Sequence, residues 1–362
     1  MITGSFPDAP CGVGDYTHRL ANGLTKLGIA VAVITTDDAC ITASEITNPS
    51  IFKLIKNWRL YHIFKIINCI KRIRPDCIHI QYPTRGYKWS LLPNMLPLFC
   101  RLFFPKILRV TTIHEFSIAH PLRKMGMIFL LLFSDKIIFP DQREAESVLK
   151  WIPLIKTNYT VIPIGTNIEP SFSGKMAEKT LNIPYIIYFG FATKSKGIDT
   201  LLYAFKHLRS FAISCKLVMI TQLSYPLQEM IKKLNLEQEI VVTGHCSPEQ
   251  ISHYFQNALA CVLPFNDGIS LRRSSFLTAL CHNVPVITTK GKGIPPCLKN
   301  RENVILTEIG NSGEIADAIV ALLQNPELRQ KISNNAKELA KNFSWDTICK
   351  KHAEFYLSNI TQ

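Results

Sequence analysis

Short apolar runs rich in β-branched residues recur along the chain, separated by longer stretches with helical spacing. In the first half these runs are Ala30–Thr35, Cys77–Gln81, Leu108–Ile113, Lys136–Phe139 and Tyr159–Ile162. In the second half they are Tyr185–Phe189, Lys216–Ile220, Glu239–Thr243, Ala260–Leu263 and Pro285–Thr288. A strand covered on both faces is apolar throughout, so such runs alternating with helices predict βαβ units around parallel sheets. Two series predict two doubly wound domains, 1–166 and 167–344, with a last helix at 345–362 returning to the first. The polar stretch from Asn167 to Asn182, containing Pro170, Ser171, Ser173 and Gly174, reads as the linker. Ligands of such sheets bind outside the carboxyl ends of the strands, here in the crevice between the domains.

Some segments are less regular. Only Met1-Ile2 precede the loop Thr3–Gly14, where a strand usually brings about five residues. Either translation begins upstream or this strand is unusually short. An amphipathic helix, Tyr16–Leu27, follows. Ile51–Arg74 reads as a basic, apolar helical region that either docks on an anionic bilayer or covers the first sheet with its lysines solvated. The tail is helical: Ser312 and Ile315 fit a cap and first turn, Pro326 opens another helix, and Ser344-Trp345-Asp346 starts a last one ending near Leu357.

Composition narrows the class. A chain of 362 residues, 47% apolar and 19% charged, suits two soluble domains. Its 11 cysteines stand singly without a CxxC pair, which fits reduced thiols better than a disulfide framework or a metal site. No secretory signal opens the chain, and the longest apolar run, Met125–Phe133, is about half of what a bilayer span requires. These features predict a cytoplasmic protein. The net charge is +14, and residues 1–165 hold 20 Lys/Arg against 11 Asp/Glu. That excess predicts an anionic partner, a phosphorylated acceptor or the inner membrane surface, where attachment would be peripheral. Nucleic acid is not expected, because no recognition motif accompanies the charge.

Four segments carry candidate chemistry. Gly12-Val13-Gly14 lies between the first strand and a helix, where backbone N–H groups approach a diphosphate closely. Alone it is a weak signal. His114 directly follows an apolar strand, and the adjacent Glu115 is equally readable as a ligand contact or as a surface residue. Lys196-Gly197 follows another strand, where a fixed cation suits an anionic ligand. Asn266-Asp267-Gly268-Ile269-Ser270-Leu271-Arg272-Arg273-Ser274-Ser275 is a polar loop leading into the helix Phe276–Cys281. Its backbone donors, Ser270, Arg272 and Arg273 suit phosphate, and Asp267 suits a sugar hydroxyl. No Asp-x-Asp triplet occurs, and Asp37-Asp38 reads as a turn, so no metal and no cofactor are expected.

In this order the chain resembles the retaining glycosyltransferases of family 4. The resemblance rests on Pro10-Cys11-Gly12-Val13-Gly14-Asp15-Tyr16, Ile113-His114-Glu115, Lys194-Ser195-Lys196-Gly197-Ile198-Asp199-Thr200-Leu201-Leu202 and Val284-Pro285-Val286-Ile287-Thr288-Thr289. Asp76-Cys77-Ile78-His79-Ile80-Gln81 and the Asn335-Ala336…Phe343-Ser344-Trp345 tail add to it. It implies the GT-B fold, two Rossmann-like parallel-sheet domains facing across a cleft. It further implies a nucleotide-diphosphate sugar as donor, bound by the second domain, and a glycan or lipid-linked acceptor bound by the first.

The resemblance assigns roles residue by residue. His114 matches the residue that contacts the transferred sugar, and Lys196 the one that meets the leaving diphosphate. Gly12, Gly14, Gly190, the Asp267–Arg273 loop and Thr278 fall on the donor side. Asp15, Tyr16 and Glu115 fall on the acceptor side. His79, at a similar strand end, reads as structural. Two departures stand out. The family pairs its Lys with an Arg immediately after the strand glycine, but Phe191 follows Gly190. Its paired glutamates fall on Ser270 and Thr278, and neither is acidic. Lys194 or Arg272-Arg273 are the candidates for the second cation. The sequence therefore leaves open an inactive nucleotide-sugar-binding paralogue. A GT-B epimerase is disfavoured for want of an acid/base carboxylate pair.

Overall fold

The computed structural model describes residues 1–7, 11–36, 49–156, 158–171, 183–211, 213–291 and 293–360. The Asp37-Asp38 turn and the linker beyond Ser171 lie outside the described residues. The chain divides into two compact units, Met1–Gly165 with Trp345–Gln362, and Thr166–Ser344.

The first unit runs α1 (Gly12–Lys26), β1 (Ala32–Thr36), β2 (Ser50–Ile55), α2 (Ile63–Ile73), β3 (Cys77–Tyr82), α3 (Leu92–Phe103), β4 (Leu108–Ile113), α4 (Pro121–Phe133), β5 (Lys136–Phe139), α5 (Gln142–Leu149) and β6 (Tyr159–Val161). β1 pairs with β2, and β3, β4, β5 and β6 pair in sequence, all parallel. Ile2 joins the two sets through single parallel bridges to Ile34 and Ile80. Its N–H donates to His79 O at 2.8 Å, and its carbonyl accepts from Gln81 N at 3.0 Å. A one-residue bridge thus holds the place where the pattern calls for a full strand.

Connections β2→β3, β3→β4 and β4→β5 advance in one direction across the sheet. Right-handed crossovers therefore put α2, α3 and α4 on the same face. Their apolar stripes, including Ile66, Leu96 and Leu130, form one core. The opposite face carries α1 and the final helix, with Leu20, Leu24, Ile348 and Cys349 in a second core.

The second unit runs β7 (Tyr185–Phe189), α6 (Ile198–Leu208), β8 (Lys216–Ile220), α7 (Tyr225–Lys233), β9 (Ile240–Val242), α8 (Pro248–Asn257), β10 (Ala260–Leu263), α9 (Ser274–Cys281), β11 (Val286–Thr289), β12 (Ile305–Thr307), α10 (Ser312–Gln324) and α11 (Pro326–Ala340). α12 (Trp345–Ile360) then returns to the first unit. The strand order is β12-β11-β10-β7-β8-β9, all parallel, so winding reverses between β7 and β10. The loops after these two strands diverge to opposite faces and leave a crevice at that point. Both units are doubly wound, as the pattern predicts.

Three expectations are corrected. Ile51–Arg74 is not one helical region: its start is the edge strand β2, and the helix begins at Ile63. Ile55, Trp58 and Ile67 are buried, while Tyr61 and Phe64 remain exposed. The first helix starts at Gly12 rather than Tyr16, because Gly14 lets its first turn lie against the Ser5 backbone, 3.1 Å from where a Cβ would stand. α10 is capped by Asn311, whose side chain accepts from Glu314 N, and not by Ser312.

Candidate functional site

In the second unit the chain leaves β7 at Gly190, makes a short turn over Lys194–Lys196, and enters α6 through Gly197. Gly197 has φ +62°, and a Cβ there would collide with the Pro264 carbonyl. Glycine at this position lets the Lys196 turn sit directly on the loop after β10. Asn266 fastens the two loops: its N–H donates to Ser195 O at 3.0 Å and its Nδ2 to Lys194 O at 2.6 Å.

The crossing gathers charge around one ring. Lys196 Nζ lies 4.9 Å from the Phe265 ring centroid, and the Arg273 guanidinium 4.3 Å from it. Arg273 also pairs with Asp267. Burial first, and then the Arg273 charge, lower the Lys196 pKa to about 8, with Asp267 opposing both. Two cations held this close, one of them paired with Asp267, leave a net positive charge that suits an anion.

The sequence-derived residues do not all join this cluster. Lys196, Asp267 and Arg273 do. Gly190 (φ +140°) and Gly268 (φ +76°) shape the two loops. Ser270 is half-buried and its carbonyl accepts from Arg273 N at 3.2 Å, so it braces the loop. Arg272 is half-buried beside it. Thr278 is a correction: its hydroxyl lies in the core, 3.1 Å from Thr166 Oγ1, which leaves it no surface to offer a donor sugar. Lys194 is exposed and Phe191, in the place of the absent Arg, is 84% exposed. Arg273 is therefore the second cation that the geometry supplies. Nothing local in the sequence marks Phe265, a strand-end aromatic, as a platform for residues on two loops.

In the first unit His114 ends β4, its N–H donating to Tyr82 O at 2.7 Å. Its Nε2 lies 2.8 Å from Gln81 Oε1 on β3, and its ring meets Tyr16 edge-on at 4.9 Å. A buried polar chain continues behind it. Gln81 Nε2 lies 3.2 Å from His79, whose Nδ1 is 2.6 Å from Tyr356 Oη and whose Nε2 is 2.7 Å from Thr112 Oγ1. Burial, followed by the neighbouring His352, holds the His79 pKa well below the ordinary imidazole value. His79 is thus a neutral core residue, in keeping with a structural role. Gln81 holds the His114 ring, a role no local motif signals.

Tyr16 is a second correction. It is buried, with its hydroxyl 3.1 Å from His352 Nε2, so it supports His114 from below instead of meeting an acceptor. Asp15 is half-buried and Glu115 exposed. Gly12 and Gly14 lie in the first turn of α1, not in a loop. The turn after His114 is fixed by Glu144, fully buried on α5, which accepts from Phe116 N at 2.6 Å, Ser117 N at 2.9 Å and Ser117 Oγ at 2.5 Å. Among the described residues no group of His, Cys, Asp or Glu is arranged to hold a metal ion.

Comparison with known proteins accords with this architecture. The family profile described as Glycosyltransferase Family 4 matches residues 10–170, and that of Glycosyl transferases group 1 matches residues 175–339. The capsular polysaccharide biosynthesis glycosyltransferase CapM of Staphylococcus aureus is 26% identical over 315 residues, 82% of this chain and 80% of CapM. The uncharacterized glycosyltransferase MJ1178 of Methanocaldococcus jannaschii is 26% identical over 161 residues, so the match spans only 44% of each protein. Among solved structures, Anabaena HepE in complex with UDP superposes with a TM-score of 0.73 at 15% identity, covering 99% of both chains.

Proposed function

We propose, on the premise that this chain belongs to the group 1 glycosyltransferases of the GT-B fold, that it moves a sugar from a nucleoside-diphosphate donor to a glycan or lipid-linked acceptor. The observation that carries the reading is the pairing of Lys196 and Arg273 on Phe265, at the reversal point of the second sheet. Negative charge grows on the diphosphate as the glycosidic bond breaks. Fixed cations at that place lower the barrier more than they tighten ground-state binding. The second unit thus binds the donor diphosphate through Lys196, Arg273 and the backbone of the Asp267–Arg273 loop. Acceptor recognition belongs to the first unit, where His114 is the residue offered to the transferred sugar and the first turn of α1 adds backbone donors.

Transfer proceeds with retention, without a covalent enzyme nucleophile. The departing phosphate oxygen takes the acceptor proton, and no divalent ion is required. The complex of HepE with UDP and the capsular role in CapM's name support a nucleotide-sugar donor and a cell-surface glycan product. A second reading, binding without transfer, is favoured by Phe191 in place of an Arg and by the buried Thr278.

Calorimetric titration with UDP, GDP, ADP and CDP in EDTA tests the proposal. Binding of one diphosphate, lost in Lys196→Ala, is expected, and turnover of the matching nucleotide sugar excludes the binding-only reading. No binding to any of the four would overturn both. The lowered Lys196 pKa adds a pH dependence. The cation is present below about pH 8 and lost as pH rises through that value. Hence kcat/KM is expected to fall on the alkaline side with an apparent pKa near 8. Lys196→Arg, which stays charged, should remove that limb even if its maximum rate is lower. An identical limb in the variant would assign the titration to another group.

A further inference from the structure

The outer surface of α2, α3 and α4 is apolar where a helix layer facing water is ordinarily polar. On α4, Met127, Leu130 and Leu131 face the core, while Leu122, Met125, Phe129 and Leu132 are 66%, 58%, 49% and 43% exposed. Their 3-4-3 spacing places them in one stripe along the solvent side. The helix is therefore apolar on both sides. α3 packs against α4 so closely that a Cβ on Gly126 would stand 3.0 Å from Asn94 Nδ2, and it leaves Leu102 and Phe103 exposed at its end. α2 packs on α3 and exposes Phe64. All three helices lie on one face of the sheet, and each leaves apolar side chains exposed there.

Charge distinguishes the occupants of such a surface. Residues 51–135 carry 14 Lys/Arg against 3 Asp/Glu, which accounts for most of the chain's net +14. Lys65 and Lys71 on α2, and Arg101 and Lys106 at the end of α3, are exposed. A second copy presenting the same face would meet this charge with its own and be repelled. A negatively charged bilayer would be attracted by the charge and would accept the apolar stripe between its headgroups.

We propose that the α2–α4 face of the first unit docks on an anionic phospholipid bilayer, with Leu122, Met125 and Phe129 entering the interface and the flanking lysines and arginines meeting lipid phosphates. This keeps only the α2 part of Ile51–Arg74 in the lipid contact and centres the contact on α4. The inference concerns the first unit alone and stands apart from the transferase reading. Diphosphate binding by the same samples separates the failure of one from the failure of the other.

The test is sedimentation of the full chain with phosphatidylcholine vesicles that contain or lack phosphatidylglycerol. Binding is expected only with phosphatidylglycerol, and it should weaken without vanishing at physiological salt. The variant Leu122→Ser/Met125→Ser/Phe129→Ser alters exposed residues only, and unchanged thermal unfolding and diphosphate binding verify its fold. Its partitioning should fall at least roughly tenfold. Unchanged partitioning of this variant would overturn the proposal, as would no vesicle binding by the parent chain. A concentration-dependent dimer dissolved by the triple substitution, without lipid binding, would give the face to a second copy instead.

Discussion

Lys196→Ala is expected to lower kcat by about two to three orders of magnitude, with little change in thermal unfolding. The asymmetry follows from what the ammonium does in the empty protein. It sits half-buried beside a like charge, and both burial and Arg273 disfavour its charged form. Its contact with the Phe265 ring returns about 0.5–2 kcal/mol, which does little more than offset that cost. Removing it therefore leaves the folded state nearly as stable. In the reacting complex the same charge faces a diphosphate that becomes more negative as the sugar departs, so its loss falls on the transition state. Steady-state kinetics with unfolding curves on the same preparations check both halves. Turnover at the wild-type rate would remove Lys196 from the mechanism.

Arg273→Ala is expected to lower kcat by about tenfold to a hundredfold and to move the alkaline limb of the pH profile upward. The first effect is the loss of the second cation. The second is a sign that a merely structural Arg would not produce: removing its charge relieves one of the two influences that depress the Lys196 pKa, and Asp267, freed of its partner, pulls the other way. Because both cations address one leaving group across one ring, their losses should not add. The double variant is expected to retain more activity than the product of the single losses predicts. A strictly multiplicative double variant with an unmoved pH limb would separate the two residues.

The strands of both sheets were legible because parallel strands buried on both faces are continuous apolar runs, and Leu108–Ile113 or Tyr185–Phe189 admits no other reading. Ser50–Ile55 escaped because it is an edge strand with Lys53 in its middle, a residue type that edges tolerate and that mimics a basic helix. Ile305–Thr307 escaped because three residues do not make a pattern. The place of Lys196 after a strand is readable in the sequence, and so is the candidacy of Arg272-Arg273 for a second cation. That Arg273, rather than Lys194 or Arg272, shares a ring with it is not, since the contact exists only where the β7 and β10 loops cross over Phe265. Gly12 and Gly14 misled for a local reason. Glycine lowers helix propensity, yet at Gly14 a close approach to Ser5 outweighs it. Thr278 and Tyr16 misled because sequence order does not report which face of a helix is buried.

The return of α12 to the first unit has a consequence for synthesis. Tyr16 and His79 find buried partners in His352 and Tyr356, and Gly165 must be glycine to make room for Trp345. While the ribosome is still translating residues beyond Ser344, the first unit has an open apolar flank on α1 and buried polar groups without partners. The second unit, by contrast, is one contiguous stretch, Thr166–Ser344, whose strands and helices are all synthesised before α12. The half made first therefore completes its fold last, and the nascent chain exposes that flank until its final helix emerges.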